Sequence, residues 1–172
     1  MKKTALLSLF APRADADITC SRSIEQVTDT MKAVTSGSPL KNAEFYGFVS
    51  ADGFDIKFNP NFRRIGPRFH SPFIPTVSAF MYKLENGTRA SVSFKLPAFA
   101  VVQRGLLISI FGAGAIAMLI DAILNSSLPA IVGASVCLAV IMVLEAVVRL
   151  TFRRFTNKIH RRLEELFEFG LY

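Results

Sequence analysis

The 172 residues leave room for one small folded domain and a membrane part; 51% are hydrophobic, although the formal net charge is +7. An ordinary soluble domain does not combine such apolarity with such basicity, and the two are segregated along the chain. Between Gly105 and Val148 there is no Lys or Arg and there are only two acids, Asp121 and Glu145.

Met1-Lys2-Lys3 and the apolar run to Phe10 imitate the start of a secretory signal, with Ala14-Asp15-Ala16 as a mock cleavage site. The run is short for such a signal and Pro12-Arg13 breaks it, so these residues are read as an uncleaved lead-in. Cys20 and Cys137 do not suggest a disulfide. Cys137 sits inside an apolar run, and a bridge tolerates a Cα separation of only a few ångströms.

A short strand is expected at Asp17–Cys20, followed by a helix from Ser23. Ser23 and Gln26 have capping-box spacing, and Ile24, Val27, Met31 and Val34 share one helical face. Gly37 is expected to end the helix. The period then changes to two. Phe45, Gly47, Val49 and Ala51 lead to Asp52-Gly53, and Phe54, Ile56 and Phe58 follow. A type I′ turn there pairs Val49 with Ile56 and Ala51 with Phe54. A second hairpin turns at Asn86-Gly87, setting Met81 against Val92 and Ala79 against Phe94. Ten of the 16 Phe residues lie between Phe45 and Phe99, enough for a small core.

The connection Asn59–Pro75 carries four prolines, which argue against a central strand. It also interleaves Arg63, Arg64 and Arg68 with Phe62, Phe69 and Phe73. The plain reading is an irregular loop with solvated arginines. A basic segment beside a membrane can also rest on anionic lipid head groups, which is favoured here over nucleic acid.

Leu106–Leu124 and Leu128–Val148 are each long enough, at about 28–32 Å, to cross a hydrocarbon core. Asn125-Ser126-Ser127 permits only a tight turn between them, with Pro129 in the first turn of the second helix. Lys95 and Arg104 precede the pair, whereas Arg149, Arg153, Arg154, Lys158, Arg161 and Arg162 follow it. The turn has no basic residue, so both termini are expected in the cytoplasm. Gly105, Ser109, Ala113 and Ala117 form a small-residue stripe, read first as packing within the hairpin and second as a homo-oligomer contact. Asp121 and Glu145 lie at opposite depths, about 18 Å apart along the membrane normal, so they do not form one site in a monomer. Glu145 is within reach of Arg149 at i+4 and of Arg104 on the other helix, giving a charge cluster at the membrane interface. Asp121 is expected to bond the turn.

Helical spacing persists through Val148, Phe152, Phe155, Ile159, Leu163 and Leu166. The second span therefore continues as an amphipathic helix, expected to cover the open sheet face rather than lie on the membrane. His70 and His160 have no partners at metal-ligand spacing, and no nucleophile–base or phosphate-loop pattern appears. No cofactor, metal or catalytic residue is assigned, and an enzyme is not expected.

Tyr46-Gly47-Phe48 with Phe54-Asp55-Ile56, then Ser71-Pro72-Phe73-Ile74-Pro75 and Leu163–Phe167, give the chain a resemblance. It resembles a loose group of small bacterial inner-membrane proteins with a Phe-rich β-domain, a membrane hairpin and a short amphipathic C-terminal helix. The resemblance implies an inner-membrane location and supplies no activity or functional residue. The expected architecture is an α+β membrane protein. Residues 1–100 form a small antiparallel β-domain with an N-terminal helix, 101–150 a two-helix transmembrane hairpin, and 151–172 a helix packing on the sheet. The expected role is a membrane-anchored interaction or scaffold module with a protein or homo-oligomeric partner. An oligomeric channel or transporter component is the alternative.

Overall fold

The structure is a computed structural model that describes residues 12–38, 41–59, 62 and 73–170. The element order is β1 (Arg13–Cys20), α1 (Ile24–Val34), β2 (Thr35–Ser36), β3 (Phe45–Val49), β4 (Gly53–Phe58), β5 (Thr76–Leu84), β6 (Gly87–Lys95), α2 (Ala98–Asn125) and α3 (Leu128–Glu168). The chain divides into two compact units, Met1–Pro97 with Phe152–Tyr172, and Ala98–Thr151. Helix α3 contributes to both.

The first unit holds one six-stranded sheet in the order β1-β6-β5-β4-β3-β2. It is mixed rather than purely antiparallel, because Thr35 and Ser36 pair parallel to Phe45 and Tyr46. Helix α1 begins with the expected capping box: Gln26 N–H donates to Ser23 Oγ at 3.3 Å and Ser23 N–H to Gln26 Oε1 at 3.1 Å. It ends at Val34, before Gly37, because Thr35 already adopts extended backbone and enters β2. β1 is twice the expected length and pairs with β6 along all eight residues.

Both hairpins form, in registers two residues away from expectation. Val49 pairs with Phe54, and Ala79 with Val92. Gly53 and Gly87 do not occupy the turns; each is the first residue of its strand. A Cβ on Gly53 would collide with the Ala79 carbonyl oxygen, and one on Gly87 with that of Cys20. These glycines admit a neighbouring strand. A shift of two preserves the alternation of faces, so the apolar face survives. Ile18, Phe45, Phe54, Ile56, Val77, Ala79, Met81, Val92 and Phe94 are buried on it.

That face is covered by α1, through Val27, Met31 and Val34, and by the C-terminal part of α3, through Phe152, Ile159, Leu163, Leu166 and Phe167, all buried. The Phe167 ring meets Phe54 edge-on at 6.3 Å, and His160 lies 6.3 Å from Phe94. Arg162 donates two hydrogen bonds to Glu44, at 2.8 and 3.2 Å. The C-terminal helix thus packs on the sheet, as its period predicts.

In the second unit, α2 and α3 are both long and apolar enough to cross a membrane. Ser126 takes a left-handed conformation (φ 49°) in the turn, which closes with only two residues outside the helices.

Candidate functional site

Three of the expected site residues come together between the apolar helices. Arg104 Nε and Nη2 donate to the two carboxylate oxygens of Glu145 at 2.5 and 2.6 Å, a bidentate pair. Arg149 Nε approaches Glu145 at 3.5 Å from one turn further along α3. Arg104's side chain is 3% exposed and Glu145's 22%, whereas that of Arg149 is 58% exposed. The bidentate geometry offsets the desolvation of Arg104, and the cluster carries a net charge of one cation. It joins the two helices.

Asp121 accepts a hydrogen bond from Asn125 Nδ2 at 2.7 Å, so its partner is the amide ending its own helix rather than a turn hydroxyl. The small-residue stripe also lies elsewhere than first expected. Gly105, Ser109, Ala113 and Ala117 are exposed. The inner surface is instead marked by buried Ala115, Ala130 and Ala134, by Gly114 beside Cys137 and by Gly133 beside Met118. A lone periodic stripe does not reveal which side of a helix it lies on; the Arg104–Glu145 pair fixes that here. The basic segment Arg63, Arg64 and Arg68 lies outside the described residues.

The second surface is the sheet face opposite the core. Phe48 is 70% exposed, Phe80 67% and Tyr82 55%. Around them alternate Ser78, Ser91 and Ser93 with charged Asp15, Asp17, Asp55, Lys57, Arg89 and Lys95. Asp17 and Arg89 are paired at 2.5 Å, and that hydrogen bond holds the Asp17 carboxyl below its ordinary value against slight burial. Phe48 and Phe80 break the polar phase of their strands, which is the signal in the sequence for this face. Among the described residues no three His, Cys, Asp or Glu side chains are grouped to hold a metal ion. Comparison with protein-family models, curated proteins and solved structures returns no match.

Proposed function

We propose that this chain is an inner-membrane protein that crosses the bilayer twice, with both termini in the cytoplasm, and presents its α+β unit as a non-enzymatic interaction module. The observation that carries the module reading is the exposed aromatic set Phe48, Phe80 and Tyr82 on an ordered sheet. Large aromatics left in water on a rigid surface mark contact sites. The membrane reading is supported by the two apolar helices, whose most apolar windows are only 6% and 11% buried. The orientation is supported by the confinement of basic residues to the ends away from the turn. Anionic head groups are the lipid partners suited to Arg63, Arg64 and Arg68.

Crosslinking in native membranes followed by purification tests the module. A reproducible partner is expected, lost in a folded Phe48→Ser/Phe80→Ser variant. No partner, or one indifferent to that variant, overturns the reading. Topology is tested separately with a Ser126→Cys variant lacking Cys20 and Cys137. A membrane-impermeant maleimide should label it only from outside the cytoplasmic membrane.

The exposed stripe Gly105, Ser109, Ala113 and Ala117 favours a second reading, association of copies into a channel or transporter component. Asp121→Asn and Glu145→Gln would then alter a reconstituted flux. A monomer in native lipid, or an unchanged flux, removes it.

A further inference from the structure

We infer that the edge of β1 and the end of α3 form a groove that takes an extended basic segment of a partner protein as a seventh strand. The inference rests on the reading of the chain as an interaction module and names the partner's chemistry. β1 ends the sheet and is paired with β6 along its whole length. No strand among the described residues pairs with its other side, where alternate backbone N–H and C=O groups point outward. Proteins commonly blunt such edges by shortening them or placing Pro there. The opposite edge, β2, is only two residues long, whereas β1 runs for eight with neither Pro nor Gly, and its charges, Arg13, Asp15 and Asp17, all fall in the phase that faces away from the core.

A cavity of about 510 Å³ lies against β1, lined by residues 17–21 and by Glu164 and Glu168 of α3. Side chains of a strand alternate between faces. A cavity touching successive residues therefore runs along the edge, where backbone groups await a partner. Its helical wall is acidic in a chain of net charge +7. Glu164 is 52% exposed and has the His160 imidazole as its ion-pair partner among the described residues, at 3.4 Å, and Glu168 is exposed one turn further on.

The spacing selects the occupant. Carboxylates one helical turn apart have Cβ atoms about 5–6 Å from each other. On an extended segment, side chains of one face recur about every 6.8 Å. Lys or Arg at alternate positions therefore meets Glu164 and Glu168 in turn while the backbone pairs with β1. The two walls are tied together before any ligand arrives. Arg22, just after β1, donates to the Leu166 carbonyl at 3.1 Å and to Thr30 Oγ1 at 3.1 Å. Gly170 at φ 76° ends the helix against the Arg22 guanidinium, where a Cβ would lie 2.9 Å from Nη1.

The test uses the full chain in nanodiscs of phosphatidylcholine and a fluorescent acetyl-Thr-Val-Lys-Val-Lys-Val-Thr-amide peptide. Saturable binding is expected. It should weaken about tenfold in Glu164→Gln/Glu168→Gln and be lost when both Lys are replaced by Glu in the peptide. N-methylation of alternate peptide amides should abolish binding in one phase and spare it in the other, since only one edge of the peptide faces β1. No saturable binding, equal binding of the Glu peptide, indifference to the double substitution, or equivalence of the two methylation phases overturns the inference. Crosslinks joining β1 to β1 of a second copy would overturn it too. If the peptide fails while a partner is still captured through Phe48 and Phe80, the groove falls and the module reading stands.

Discussion

Glu44 shows how much a single side chain carries in this fold. It is buried, and its two oxygens receive Arg162 Nε and Nη2 from the helix that closes the core. Hydrogen bonding to Glu44, opposed by partial burial, raises the Arg162 guanidinium above its ordinary range. Glu44→Gln removes the charge and one acceptor while Glu165 still holds Arg162 at 3.0 Å, so the expected loss is about 1–3 kcal/mol. Chemical denaturation of the full chain in detergent measures it, and Arg162→Ala should be non-additive with it. Asp17 gives a pH signature of the opposite kind. Its carboxyl is held below the ordinary value by the Arg89 hydrogen bond. Its contribution is therefore full above the unfolded-state carboxylate range, about pH 4, and is lost as pH falls through the lower folded value. Denaturation midpoints followed from pH 6 to pH 2 should fall less steeply for Asp17→Asn. Gly87 marks where local reading of the sequence stops. Asn86-Gly87 and Asp52-Gly53 are strong turn signals by composition. Yet each glycine is demanded by a carbonyl from a strand distant in sequence, Cys20 for Gly87 and Ala79 for Gly53. No window around the turn contains that carbonyl, so the registers slip by two while the faces stay correct. Gly87→Ala, at φ 144° against backbone, should cost more than about 1 kcal/mol in the same assay.

At the scale of elements, hydrophobic period was the most legible feature. The spacing of Phe152, Ile159, Leu163 and Leu166 predicted both a helix and a buried stripe, and all four are buried on the sheet unit. The period drifts enough that Thr156 is buried while Phe155 is half-buried, a detail the apolar pattern alone misplaces. Leu163 is fully buried, so Leu163→Ala removes packing at the centre of the interface. The expected loss is about 2–5 kcal/mol, read from the same denaturation curves. Phe169, exposed immediately after the same helix, is the control, and Phe169→Ala should stay within about 0.5 kcal/mol. β1 was only half legible. Its Asp15 and Asp17 depress strand propensity, and the partner that stabilises it, β6, is separated from it by five intervening elements. Only pairing with Ser93 and Ser91 turns those acids into the polar phase of an edge strand.

For the whole molecule, the informative pattern is where charge is tolerated. From Ala98 to Thr151 the cations are Arg104 and Arg149 and the acids Asp121 and Glu145. Both cations converge on the Glu145 carboxylate, and Asp121 is satisfied within its own helix by Asn125. Glu145 therefore acts as a strut between the helices and Asp121 bonds only within its own, which weakens the transport reading without touching the possibility that copies associate through the exposed stripe. Arg104 is the residue with most to lose, since its side chain is 3% exposed and its guanidinium is matched by both oxygens of Glu145. Removing one partner strands the other in a poorly solvated place, so Glu145→Ala and Arg104→Ala should each cost about 3–5 kcal/mol. The double variant should cost much less than their sum, with a coupling of about 1–3 kcal/mol. Thermal unfolding in nanodiscs reads the cycle, and the exchanged pair Arg104→Glu/Glu145→Arg should recover part of the loss. Additive losses would mean that the two helices are held by apolar packing alone. Recovery in the exchanged pair would establish that the contact, rather than either charge at its own position, joins the two helices.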